Sequence, residues 1–437
     1  LNNDRSGTGI RGRLVSGIKW TAVVAVVVSA SHLASSVIAA RLLGLEEFGE
    51  FSIIRSTAIM MANIAAMGIG VAATKYVAEL RNTAPERLGR ILGLCSSITI
   101  VTSGLFALVL LLLADEIAIT SFHSGQLTGQ LRVSSIYIFF VTLNEYQNGV
   151  LAGFESFAKL ARINAIQAVG SLLLISVLAF LWGLTGAAWA LGLSGVLNWY
   201  LNRLEIRKQL AKYQIAATYQ GIFQEKAVLT NFALPVAFSG MIGAVTVWGC
   251  NAFLVRQPEG MAQMAIFTAA GSFRSLVMFV PGLVIRVATP ILCNLVGEKN
   301  YSASSRVFKI NVLISALASS FVAGAIILMA PELLSLFGKK FVGGAEVARL
   351  VAIVSIVEVM ANTLYQPLLA YGRIWWQFRV ILCWSLILTA VTYLTVGSFG
   401  ALGLAAAYLA AHIASLGLYV FVGYRIKKTS ELGLVHI

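Results

Sequence analysis

Residues 41–90 read RLLGLEEFGEFSIIRSTAIMMANIAAMGIGVAATKYVAELRNTAPERLGR, and this stretch decides the fold. An acidic, glycine-punctuated turn (Gly44, Glu46, Glu47, Gly49, Glu50) leads into an apolar run at 51–72. An apolar run of about 20 residues is long enough for a helix to cross a bilayer. Arg55 and Asn63 lie inside the run, on one face of a helix. Lys75, Arg81, Arg87 and Arg90 follow it. A charge in hydrocarbon costs about 2.5–3.5 kcal/mol on insertion scales, and it persists where it faces a bundle interior or an aqueous cavity. The stretch therefore implies a polytopic membrane protein with a polar pathway.

The composition of the whole chain agrees. Its 437 residues are 58% hydrophobic and 11% charged, with a mean hydropathy of +0.85. A soluble domain carries about 25% charged residues. The net charge of +14 would suggest nucleic acid in a soluble protein. Here the Lys and Arg residues lie in loops, where they set topology, so the expected partner is the lipid bilayer and no nucleic acid is expected. Cys95, Cys250, Cys293 and Cys383 fall in apolar runs without CxxC spacing and read as small apolar residues. The segment Gly7-Thr8-Gly9-Ile10-Arg11-Gly12 matches GxGxxG, but no strand precedes it and no βαβ unit follows. It belongs to a basic arm suited to anionic lipid. The first apolar run is too long for a signal peptide and reads as an uncleaved span.

About twelve spans emerge on length and hydropathy. They lie at 17–40, 51–72, 91–113, 133–152, 163–182, 184–202, 231–254, 262–290, 310–330, 348–371, 376–397 and 401–422, the eighth interrupted by Pro281-Gly282. Amphipathic stretches at 114–131 and 331–347 are expected to lie at the surface. Most Lys and Arg residues fall in the N-terminal arm, 73–90, 153–162, 203–230, 296–309, 372–379 and the tail. This bias places both termini in the cytoplasm, as an even number of spans requires.

The chain also repeats itself. Gly44, Phe51 and Val71-Ala72 align with Gly260, Phe267 and Val287-Ala288 at an offset of 216. Gly183-x-x-Gly186 aligns with Gly400-x-x-Gly403 at 217, and Leu151-Ala152 with Leu369-Ala370 at 218. The expected architecture is an all-α integral membrane protein whose two six-helix halves are related by a pseudo-twofold axis along the membrane normal. Its parts are a cytoplasmic arm (1–15), an N-terminal lobe (16–202), a cytoplasmic linker (203–230), a C-terminal lobe (231–422) and a cytoplasmic tail (423–437).

Three segments carry a family resemblance. They are G-L-x-x-F-G-x-F-S-I-I-R-S from Gly44, G-I-G-x-A-A-T-K-Y-V-A-E-L-R from Gly68, and GVLAGFESFAKLARIN at 149–164. With these the chain resembles the Wzx-type polysaccharide flippases of the multidrug/oligosaccharidyl-lipid/polysaccharide exporter superfamily. The resemblance implies two six-helix lobes around a V-shaped cavity in the cell (inner) membrane. It implies a non-enzymatic transporter that moves undecaprenyl-pyrophosphate-linked oligosaccharide to the outer leaflet for surface polysaccharide synthesis. A polysaccharide polymerase and chain-length machinery are the partners it suggests. The rival readings are a cation-coupled multidrug exporter of the same fold, which three intramembrane arginines disfavour, and a membrane-bound glycan polymerase or transferase, for which no large loop or exposed acidic motif is present.

A pyrophosphate calls for arginine, whose planar fork bonds two oxygens and stays charged. The intramembrane candidates are Arg55, Arg274 and Arg286, and the Pro281-Gly282 break is expected to swing the last two together. Each has a second reading: snorkelling toward headgroups, or a structural pair with Glu145 or Glu358. Those two acids lie in the fourth span of each half, beside Asn144 and Asn148, and Asn362 and Gln366. They are candidates for coupling transport to H⁺ or Na⁺, or for neutralising the arginines. No other cofactor is called for. Asn63, Asn148 and Gln366 are candidate glycan contacts, with interhelical hydrogen bonding as the alternative. His32 and His412 sit alone in apolar runs and read as packing residues.

Overall fold

A computed structural model describes residues 6–216, 218–225, 234–298, 300–370 and 374–431. Helices fill almost all of them: α1 (Ser6–Ala66), α2 (Ile69–Leu80), α3 (Pro85–Glu116), α4 (Thr128–Gly153), α5 (Phe157–Lys212), α6 (Leu234–Val255), α7 (Gly260–Val277), α8 (Phe279–Gly297), α9 (Tyr301–Leu328), α10 (Ala330–Ser335), α11 (Ala345–Ala370) and α12 (Ile374–Glu431). Three of them are pairs of passages joined at one glycine. The elbows are Gly44 in α1 (φ 79°), Gly183 in α5 (φ 54°) and Gly400 in α12 (φ 53°), conformations that glycine adopts without a Cβ penalty. Large apolar side chains point outward, as with Phe180 (76% exposed) and Phe321 (79%). That is the arrangement of helices that meet lipid rather than water.

The internal repeat is written into the helix boundaries. α3 and α9 start 216 residues apart, α4 and α11 are each 26 residues long, and the Gly183 and Gly400 elbows share one backbone geometry (ψ −136° and −128°).

Four details depart from the sequence reading. The second span is broken at Met67 and Gly68, both with positive φ, and α2 continues as a separate helix. The interruption in the eighth span lies at Met278 rather than at Pro281-Gly282. Proline lacks an N–H and clashes with the carbonyl four residues earlier, so the break falls before the ring. The stretch 114–131 forms no separate surface helix. α3 runs into a π-turn at Ile117–Ser121, a single 3₁₀ turn follows at Gly125–Leu127, and α4 begins at Thr128. Finally, 203–212 extends α5, so the polar connection opens as helix. Lys226 and the rest of that connection to residue 230 lie outside the described residues, as does Arg5 in the arm.

The chain divides into two compact units, Leu1–Leu43 with Ile54–Ala244, and Gly44–Ile53 with Val245–Ile437. In the first, α4 packs against α2, α3 and α5. A Cβ on Gly149 would lie 2.0 Å from the Gly70 carbonyl oxygen, so α2 and α4 touch backbone to backbone, and Thr74 Oγ1 donates to Gly149 O at 3.0 Å. Residues 213–216 and 218–225 lie along α3. Ile215 is buried with Leu88 and Leu92, Thr218 N donates to Gly89 O at 3.2 Å, and Arg87 Nε reaches Glu225 Oε2 at 3.1 Å. In the second unit, α11 packs against α7, α8, α9 and α12. Phe48, Phe273, Phe337 and Phe341 form a buried aromatic core there.

The α5 elbow supplies a stability test. A Cβ on Gly186 would lie 1.8 Å from the Leu178 carbonyl oxygen. Gly186→Ala must therefore open the elbow, at a cost of about 3 kcal/mol. Thermal unfolding in detergent should show a clearly lowered transition, and an unchanged one would mean that the elbow is not closed this tightly.

Candidate functional site

In the first unit, the second limb of α1 carries Arg55 and Asn63, both exposed although they lie within a span. Thr142 Oγ1 reaches the Ala62 carbonyl at 3.5 Å and ties α4 to this limb. Glu145 on α4 is also exposed. The Arg55 charge acts on His32 and Tyr137, and the Glu145 charge also acts on Tyr137. Among the described residues, neither Arg55 nor Glu145 forms a salt bridge. The neighbouring amides are occupied between helices: Asn144 Nδ2 donates to Gly195 O at 3.0 Å, and Asn148 Oδ1 accepts from Asn202 Nδ2 at 3.1 Å.

The second unit brings together residues from three helices. Arg274 of α7 donates through Nη2 to Glu358 Oε1 of α11 in a direct ion pair. The guanidinium side is 47% exposed and the carboxylate side 9%, so an accessible cation is held by a buried anion. The second carboxylate oxygen, Glu358 Oε2, is buried and has no hydrogen-bond partner among the described residues. The charges of the pair act on Tyr408 and His412 of α12. Tyr408 and His412 stack at 6.3 Å, and Trp384 meets both rings at 6.0 and 5.7 Å. Gln366 is buried about two turns beyond Glu358, and its Oε1 accepts from Asn311 Nδ2 at 2.9 Å, between α9 and α11. Asn362 is exposed.

Arg286 of α8 is exposed and forms no salt bridge among the described residues. The kink at Met278 leaves Arg274 turned to Glu358, and no interaction joins the two arginines. The structural-pair reading thus describes Arg274, while in the other unit Arg55 and Asn63 on α1 and Glu145 on α4 are exposed and form no salt bridge among the described residues. The sequence reading missed Trp384, Tyr408 and His412 as neighbours of the ion pair. The only signal in the chain was the one-turn spacing of Tyr408 and His412, which is also common in plain helix packing.

Residues 14–296 match the family described as "Polysaccharide biosynthesis protein". The chain is 24% identical over 387 residues to the EPS I polysaccharide export inner membrane protein EpsE of Ralstonia solanacearum, covering 86% of each. Its fold is similar to an inward-facing multidrug resistance MATE family transporter of the MOP superfamily (TM-score 0.77, 16% identity, 94% of this chain and 99% of that one). It is also similar to the lipid II flippase MurJ in an inward closed conformation (TM-score 0.74, 14% identity, 92% and 87%).

Proposed function

The chain belongs to the polysaccharide biosynthesis protein family and is a membrane transporter, and on that premise we propose that it flips a polyprenyl-pyrophosphate-linked oligosaccharide from the cytoplasmic to the outer leaflet. It works by alternating access, with both termini in the cytoplasm. The observation that carries this reading is the Arg274–Glu358 pair: an accessible guanidinium within a membrane lobe, held by a buried carboxylate with one oxygen unspent. A pyrophosphate competes with that carboxylate for the same fork of donors. In the same lobe Arg286 supplies a further phosphate contact; in the other lobe, taken by itself, Arg55 is a phosphate contact and Asn63 a glycan contact. Asn148 and Gln366 fix the helices that carry the two acids.

The same pair gives the reading its coupling ion, a proton. Hard metal cations take several oxygen ligands. The groups found around Glu358 are instead a guanidinium, a phenol and an imidazole. A proton on Glu358 cancels the charge that holds Arg274 and releases the arginine to the headgroup. The first test is ligand stabilisation of the purified protein. Undecaprenyl pyrophosphate should raise the melting temperature by several degrees at saturation, as any ligand selective for the folded state does. A cationic dye should leave it unchanged. Stabilisation by the dye alone would transfer the assignment to drug export.

A further inference from the structure

We infer that Phe267, Trp384, Tyr408 and His412 form a stacking platform for the first sugar of the lipid-linked glycan, the one bonded to the pyrophosphate. This rests on the reading of Arg274 as a pyrophosphate contact. The rings converge from α7 and both limbs of α12: Phe267 stacks on Tyr408 at 5.8 Å, Tyr408 on His412 at 6.3 Å, and Trp384 closes the group at 6.0 and 5.7 Å.

Their exposure is intermediate, as is that of Phe253 and Tyr365, and lies between two extremes found among the aromatic residues of this unit. Phe273, on the same helix as Phe267, is 2% exposed, and Phe337 and Phe341 are buried with it. Tyr393 and Phe399 are 72% and 62% exposed, as expected of lipid-facing rings. All four platform rings fall between these limits. They are packed on one another yet keep accessible surface, next to a charged pair that membrane lipid would not tolerate.

The chemistry of the group suits a pyranose. A sugar ring has an apolar C–H face that packs on aromatic rings and a rim of hydroxyls that both donate and accept hydrogen bonds. Among the described residues, Trp384 Nε1 is a buried donor and Glu358 Oε2 a buried acceptor without hydrogen-bond partners. Arg274 follows Phe267 by two turns on α7, and its charge acts on Tyr408 and His412, which places the diphosphate contact on the same helix as one ring and within electrostatic reach of two others.

The experiment is a binding measurement on the full chain in nanodiscs with two probes, a short polyprenyl diphosphate and the same diphosphate carrying one sugar. The parent protein should bind the glycosylated probe about tenfold more tightly, the scale of one ring stacked on an aromatic side chain. Trp384→Leu and Phe267→Leu should erase that difference and leave affinity for the bare diphosphate unchanged, while Trp384→Phe keeps most of it. Arg274→Ala should weaken both probes equally. Equal binding of the two probes by the parent protein overturns the platform whatever the variants do. So does a leucine variant that lowers both affinities together. Bare diphosphate binding that ignores Arg274→Ala overturns the pyrophosphate contact instead, and that outcome is distinct from the other two.

Discussion

Arg274→Ala is expected to lower flipping of the lipid-linked glycan by about a hundredfold or more while the protein still inserts and folds. A hydrogen bond to a charged group contributes about 1.5–3 kcal/mol, and a bidentate arginine makes two. A loss of about 3 kcal/mol corresponds to roughly two factors of ten. The structural cost is smaller than the loss of a buried pair suggests. Arg274 is 47% exposed on its side-chain surface, so the pair is only partly buried and its loss is discounted accordingly. A second variant separates function from folding. Arg274→Met combined with Glu358→Met removes both charges, and apolar replacement of a buried ion pair is often neutral or stabilising. The double variant should melt no lower than the parent and remain inactive. Normal flipping by the double variant would reduce the pair to a structural contact.

Glu358→Gln should produce the opposite separation, with transport retained and coupling lost. Glutamine keeps the size of the side chain and still accepts a hydrogen bond from Arg274, but it cannot exchange a proton. Flipping down a substrate gradient should persist. The acceleration by a proton gradient that is expected of the parent protein should vanish. Headgroup affinity should rise roughly fivefold, because Arg274 no longer has to leave a charged partner, a modest gain for a half-exposed cation. The groups around Glu358 are Arg274, Tyr408 and His412, so His412→Ala is the necessary control. If the gradient response disappears in His412→Ala and survives in Glu358→Gln, the proton resides on the imidazole.

Much of the fold was legible because membrane helices announce themselves by length and hydropathy. The Gly-x-x-Gly motifs at Gly183 and Gly400 marked two elbows that share one backbone geometry. The offset near 217 marked the repeat that α4 and α11 display as helices of equal length. What was not legible depends on register and on long-range partners. The kink at Met278 precedes its cause, because proline acts on the carbonyl four residues back. The π-turn at Ile117–Ser121 replaces a surface helix that amphipathicity had suggested. The choice of Glu358 over Glu145 as the arginine's partner could not be read from one chain. The two acids stand about a turn apart in register on equivalent helices, and only the second has an arginine across from it.

The same reason hid the aromatic neighbours. His412 has no second polar residue close to it in sequence, and it gains its setting only when the limbs of α12 fold back at Gly400 and bring Trp384 beside it.

The central claim is that this chain carries a lipid-linked glycan across a bilayer, and leaflet transfer measures that directly. Purified protein would be reconstituted in liposomes with a short-chain polyprenyl-pyrophosphate oligosaccharide, and the arrival of glycan in the opposite leaflet would be followed with and without a proton gradient. The account predicts transfer that requires the protein, speeds up with the gradient and fails in Arg274→Ala. Liposomes that leave the glycan in its original leaflet while expelling a cationic dye would contradict it.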